Sequence, residues 1–282
     1  MLNLKKLYSN GSSLTAGGGL YEAGNKNEYK RLYDVEWDNE KDVTYPKYVA
    51  DHFNLDLIHD AECGSGAPRL VRRTYDYIEN VGIENAKDTL FLFEITDPIH
   101  RIDLYCKKIN NHVIANVRYD DNANINDISV VTSYSPTNRV LSNDMFKGEI
   151  EAEIKDYLTK YHDPVVYSNK FIGELVGLFS FMEKMELKFF YMFENEFLRN
   201  PFKSFYNMMD VNHRIIIDNE CTSSSHFCIK NKLTIKDELN GFTDDTHPGY
   251  FGYKKFSDVV ITNIENKLSQ EIINHSQFRV FM

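Results

Sequence analysis

Two short segments near opposite ends of the chain carry residue types that can perform acyl chemistry together. Near the amino terminus, Gly11-Ser12-Ser13-Leu14-Thr15-Ala16-Gly17 sets hydroxyls on a glycine-bounded turn. There the Ser13 hydroxyl is open to a substrate, with its own backbone N–H close by. Near the carboxyl terminus, Asp244-Asp245-Thr246-His247-Pro248 places a carboxylate three residues before an imidazole. Folded back, Asp244 reaches Nδ1 of His247, fixes the tautomer and leaves Nε2 as a general base. A serine hydroxyl is a weak nucleophile until such a base takes its proton. Ser13, His247 and Asp244 are therefore the candidate catalytic residues.

Two further segments can stabilise the charge that such an attack creates. In Glu62-Cys63-Gly64-Ser65-Gly66 the glycines let backbone N–H groups approach an oxyanion closely. Glu94-Ile95-Thr96-Asp97 sets polar groups directly after an apolar run. Taken singly, each of the four segments is also what an ordinary turn or helix cap looks like. Their meaning depends on the elements that hold them.

Those elements follow from apolar periodicity. Leu2 to Tyr8 reads as a strand that opens at Ser9-Asn10-Gly11 into the serine turn. Tyr45 to Phe53 has helical spacing, and Leu55 to His59 reads as a short strand running into Gly64. Pro68 suits the first turn of a helix through Leu70 to Ile78, and Thr89 to Ile95 is a continuous apolar run of the kind buried in a parallel sheet. From Ile99 to Pro164 the pattern weakens. Phe171, Leu175, Leu178, Phe179, Met182 and Met185 then share one helical face, and Leu187 to Phe193 follows as a strand. His213 to Asp218 reads as a last strand, and Gly249 to Leu268 as a closing helix. Alternating strands and helices predict an α/β fold, a single flavodoxin-like three-layer sandwich over 1–282 with a central parallel sheet, helices on both faces and an insertion at about 99–165. In such sheets ligands bind beyond the carboxyl ends of the strands, and the polar loops fall there.

Composition bounds the partners. A net charge of −10 repels a phosphate backbone, which argues against nucleic acid. No apolar run reaches the length of a signal peptide or a membrane span, so a cytoplasmic protein is expected, or one carried in a phage virion. Four irregularly spaced cysteines fit reduced thiols. Cys221, His226 and Cys228 lack the paired spacing of structural zinc, and no metal or cofactor is expected. The Phe- and Met-rich stretch from Phe171 to Met209 suits core packing better than an acyl pocket.

In order and spacing the four segments resemble the SGNH (GDSL-type) hydrolases, from Gly11 to the helix after His247. That family has a Gly-Asp-Ser-Leu-type serine motif, a glycine after the second strand, an asparagine in Gly-x-Asn-Asp after the third, and Asp-x-x-His near the end. The resemblance implies ester hydrolysis by a Ser13-His247-Asp244 triad. It also implies an oxyanion hole of the Ser13 and Gly64 N–H groups with a third donor at Thr96, and a short-chain or acetyl ester substrate, small or glycan-borne. Two positions depart from the pattern: Ser12 stands for the aspartate and Thr96 for the asparagine. A lost oxyanion donor costs about 2.7–4 kcal/mol, or about 10²–10³ in rate. His100 and Arg101 are candidates to replace it.

Two other functions compete. One is a catalytically weak module that keeps the fold to hold a glycan or protein. The other treats Gly11 to Gly19 as a phosphate cradle for a nucleotide or flavin, which leaves the late Asp and His without a role and lacks the lysine of a P-loop.

Overall fold

A computed structural model describes residues 4–96, 101–107, 110–119, 125–132, 144–193, 212–217 and 224–279. Its centre is a four-stranded sheet in the order β2-β1-β3-β7, with β1 at Lys6–Asn10, β2 at Asp56–His59, β3 at Thr89–Ile95 and β7 at Lys188–Phe193. All three pairings are parallel, so Leu7 lies opposite both Leu57 and Leu90, and Phe91 opposite Phe189.

The alternation of a pleated strand explains why both faces are apolar. Leu7, Leu90, Leu92, Phe190 and Met192 point to one side, where they join residues of α3 (Tyr45–Phe53) and of the long closing helix α10 (Tyr250–Arg279). Tyr8, Phe91, Phe93, Ile95 and Tyr191 point to the other, against α4 (Ala67–Val81) and α7 (Pro164–Lys184). The result is the expected α/β sandwich of helix, parallel sheet and helix. Proline near the first turn starts both α3 and α4, where the missing N–H has no intrahelical partner to lose.

Residues 101–132 build a second sheet. β4 (Arg101–Cys106), β5 (Asn111–Tyr119) and β6 (Ile125–Thr132) run antiparallel in that order. The helix α6 (Asp144–Tyr161) covers it through Ile150, Ile154 and Leu158, which pack with Ile102, Val113 and Val117. The strand expected over His213 to Asp218 is reduced to one parallel bridge. Tyr191 N–H donates to the His213 carbonyl at 3.0 Å and Ile215 N–H to the Tyr191 carbonyl at 2.8 Å, and among the described residues no further rung joins the segment to β7; Ile216 N–H, on the side away from that strand, goes to the Asn263 side chain of α10 at 3.1 Å. Asp218 lies outside the described residues. Among the described residues no helix is long and apolar enough to cross a membrane.

Candidate active site

The central strand β1 delivers the serine. It ends at Asn10, and the chain turns through Gly11 and Ser12 into α1 (Ser13–Ala16), with Ser13 as the first helical residue. Ser12 is the N-cap: its side chain accepts the Leu14 N–H at 3.3 Å. An aspartate would cap in the same way, so serine at this position keeps the local bond. At the other end Gly17, in the left-handed region with φ 87°, donates its N–H to the Ser13 carbonyl. Ser13 is thus held on a one-turn helix beyond the carboxyl end of the sheet.

His247 arrives from the far end of the chain. Its Nε2 lies 3.0 Å from Ser13 Oγ across 234 residues of sequence. The carboxylate behind it corrects the sequence reading: Asp245, not Asp244, meets the ring. Asp245 Oδ1 lies 2.6 Å from His247 Nδ1 and also accepts the His247 backbone N–H at 2.9 Å.

The reason is a local turn. Ile235 and Lys236, the first residues of the short helix Ile235–Glu238, donate their N–H groups to the carbonyls of His247 and Asp245 and so hold the loop. An aspartate whose side chain accepts the N–H two residues on closes an Asx turn, and the same Oδ1 is thereby set against the ring of that residue. Asp244 turns outward, 97% exposed, and pairs with Lys236 Nζ at 2.9 Å.

Protonation follows from the partners. Burial works to raise the Asp245 carboxyl, but the bonds from the His247 ring and backbone outweigh it and hold the group below the ordinary carboxylate range. Ionised, Asp245 can only accept, so the ring proton sits on Nδ1. Nε2 is then left to accept the Ser13 hydroxyl proton, as a general base requires.

Two glycines that the motif reading passed over form the floor beneath these groups. A Cβ on Gly18 would lie 2.9 Å from His247 Cδ2 and Nε2 and 2.9 Å from Ser13 Cβ. One on Gly19, which has φ +80°, would overlap Asp245 Oδ2. Glycine at both positions is what lets the ring and its carboxylate lie against the serine turn. The signal available in the sequence was the Gly17-Gly18-Gly19 run itself, which does not say what will rest on it.

The loops after β2 and β3 converge on the same end of the sheet. Glu62 N–H donates to the Gly11 carbonyl at 3.3 Å, tying the Gly64 loop to the residue just ahead of Ser12. Gly64 has φ +78°, a conformation that favours glycine. Thr96 is buried, and its hydroxyl points to the Ser65 carbonyl at 3.5 Å, the limit of a hydrogen bond. Arg101 Nη1 donates to the same carbonyl at 3.1 Å, and a Cβ on Gly66 would overlap the Arg101 carbonyl. Asp97, Pro98, His100 and Cys221 lie outside the described residues. Cys228 is fully buried in the apolar core, and no group of three metal-ligating side chains occurs among the described residues. A cavity of about 530 Å³ between α4, β4, α6 and α7 touches neither Ser13 nor His247.

No protein-family model and no curated protein matches the sequence. Among solved structures the chain is similar to the psychrotrophic esterase EstA from Pseudoalteromonas sp., at 12% identity over 94% of this chain and 99% of that one, with a TM-score of 0.46. It is similar to the acetyl xylan esterase Est2A from the rumen bacterium Butyrivibrio proteoclasticus at 12% identity and a TM-score of 0.46, over 94% of this chain but only 64% of that one. The lipase Lip_vut3 from a goat rumen metagenome matches at 14% identity and a TM-score of 0.39, over 92% and 97%. At these identities and scores, function has to be argued from the side chains of this chain.

Proposed function

We propose that the chain is a serine esterase that transfers an acyl group to Ser13 and then to water. One observation carries the reading: the unbroken line from Asp245 through both nitrogens of His247 to Ser13 Oγ. Ser13 Oγ attacks the ester carbonyl carbon while His247 Nε2 takes its proton. The tetrahedral intermediate collapses, and His247 returns that proton to the departing alcohol. Water repeats the sequence on the acyl-serine, releasing the acid. Asp245 stays ionised and steadies the imidazolium that forms in each half.

The Ser13 and Gly64 N–H groups are the oxyanion donors in this reading, with the Thr96 hydroxyl as the third. A short acyl group such as acetyl, on a small or glycan alcohol, and one domain over 1–282 with an insertion at about 99–165, complete it.

Fluorophosphonate treatment followed by mass spectrometry tests the proposal. One adduct is expected, on Ser13; it disappears in Ser13→Ala and is suppressed in His247→Ala. Folded protein that takes no adduct refutes the esterase. The Thr96 hydroxyl facing the Ser65 carbonyl favours a second reading, a catalytically weak binding module. That version labels on Ser13 but hydrolyses p-nitrophenyl acetate about 10²–10³ more slowly than a complete oxyanion hole allows.

A further inference from the structure

The carboxylate of Glu94 has no part in the relay, yet it is fully buried where β3 ends beneath the serine turn. It follows Leu90 and Leu92 on the same face of the strand, a face otherwise packed with apolar side chains. A buried carboxyl group persists only where hydrogen bonds replace its hydration. Two hydroxyls supply such bonds: Thr15 Oγ1 donates to Oε2, and Ser224 Oγ, from the first residue of α8 (Ser224–Lys230), donates to Oε1.

Thr15 is two residues beyond Ser13 on the one-turn helix α1. Thr15 Oγ1 also lies 3.2 Å from Tyr45 OH, within hydrogen-bonding reach. Gly11 leaves room for these contacts: a Cβ there would overlap Thr15 Oγ1 and lie 3.1 Å from Glu94 Cβ. Tyr45 on α3, Thr15 on α1, Glu94 on β3 and Ser224 on α8 thus form one hydrogen-bonded cluster beneath the serine turn.

We infer that Glu94 is a positioning residue, which acts through Thr15 to hold the serine turn in line with His247. The inference rests on the proposed role of Ser13. A one-turn helix has few bonds of its own, and His247 approaches on a separate loop, so the Ser13–His247 distance depends on what anchors α1 to the sheet. Misplacing a reacting group by about 1 Å can cost about 10²-fold in rate.

The test uses the full chain and two readouts. In otherwise wild-type protein, Thr15→Val and Glu94→Gln are each expected to lower kcat on p-nitrophenyl acetate by about 10- to 10²-fold with KM little changed. Thr15→Ser, which keeps the hydroxyl, restores it. The double variant should lose less than the product of the two single losses, because both changes act on the same contact.

The second readout does not require esterase activity. In a Ser13→Cys background, alkylation of position 13, identified by peptide mass, reports the pH at which the thiol gives its proton to His247. Thr15→Val should move that midpoint upward and Thr15→Ser should return it. Folded Thr15→Val and Glu94→Gln variants with unchanged kcat and unchanged alkylation midpoint would overturn the inference. If instead the midpoint moves but wild-type protein takes no fluorophosphonate, the esterase reading fails and the positioning role stands.

Discussion

Two neighbouring aspartates, Asp244 and Asp245, have opposite surroundings, and their substitution should separate them sharply. Asp245→Asn keeps the shape but removes the charge that opposes the imidazolium and fixes Nδ1–H, and loss of this function in a triad costs about 10⁴ in kcat. Asp244→Asn removes only a surface pair with Lys236, at 97% exposure, and should leave kcat/KM within about two-fold, since such pairs are worth little. Steady-state hydrolysis of p-nitrophenyl acetate by the two variants checks both, and equal losses would contradict the geometry. This pair also marks what the sequence could disclose of the site. Residue type sufficed to single out Ser13 and His247 as side chains that meet, 3.0 Å apart, because a hydroxyl on a glycine turn and an imidazole beside carboxylates are chemically distinctive. The choice between Asp244 and Asp245 needed the turn of the loop, whose carbonyls the N–H groups of Ile235 and Lys236 hold from outside the motif. Gly18 and Gly19 were illegible for a related reason: glycine announces a close approach without naming what approaches.

The elements whose patterns are local were the ones legible in advance. Tyr45–Phe53 is a helix over the span its spacing implies, and Thr89–Ile95 is the buried strand that its run of apolar residues implies. The 212–217 segment shows how a local pattern overreaches: buried Ile215 and Ile217 alternate with exposed Ile216, yet beyond the two bonds to Tyr191 no rung joins the segment to β7 among the described residues. β4, β5 and β6 show the converse: Ile102 and Leu104 alternate with Arg101, Asp103 and Tyr105, the pattern of a half-buried strand, which is less conspicuous than the continuous apolar runs of the parallel sheet. How elements brace one another was not readable at all. The last residue of α9 (Ile235–Glu238) reaches across to the start of α10, where Glu238 accepts the N–H groups of Phe251 at 3.1 Å and Gly252 at 2.7 Å, together with Tyr29 OH at 2.7 Å. The loop with Asp245 and His247 is strung between these two helices. A Cβ on Gly249 would overlap the Glu238 carboxylate. Gly249→Ala should therefore push Glu238 off its donors and destabilise the protein by about 1–3 kcal/mol, as overpacking typically does. A urea titration checks this: the midpoint should fall while the slope stays unchanged, since the surface exposed on unfolding is the same.

Across the whole molecule, two titratable groups, buried Glu238 and half-buried His59, set opposing dependences of stability on pH. Burial, chiefly, pushes the Glu238 carboxyl up from 4.5 to about 7. Burial, then the nearby Lys41 charge, pushes the His59 imidazole at the end of β2 down from 6.5 to about 4. For Glu238 the folded state binds a proton that the unfolded chain releases, so its contribution is complete below pH 4.5 and is lost as pH rises through about 7. For His59 the unfolded chain binds the proton, so stability is complete above pH 6.5 and is lost as pH falls through about 4. Each displacement corresponds to about 3 kcal/mol. Between pH 4.5 and 6.5 both act at once with opposite sign, and these two contributions to the slope nearly cancel. Removing either group should expose the other. His59→Gln should leave a protein whose stability falls steadily from pH 4.5 to 7, and Glu238→Gln one whose stability rises from pH 4 to 6.5. Urea midpoints at a series of pH values read both slopes directly, and parallel curves for the three proteins would show that neither group titrates as its surroundings require. Because His59 leads into the Gly64 loop and Glu238 braces the His247 loop, the two groups act on different loops, so falling pH should loosen the first and rising pH the second.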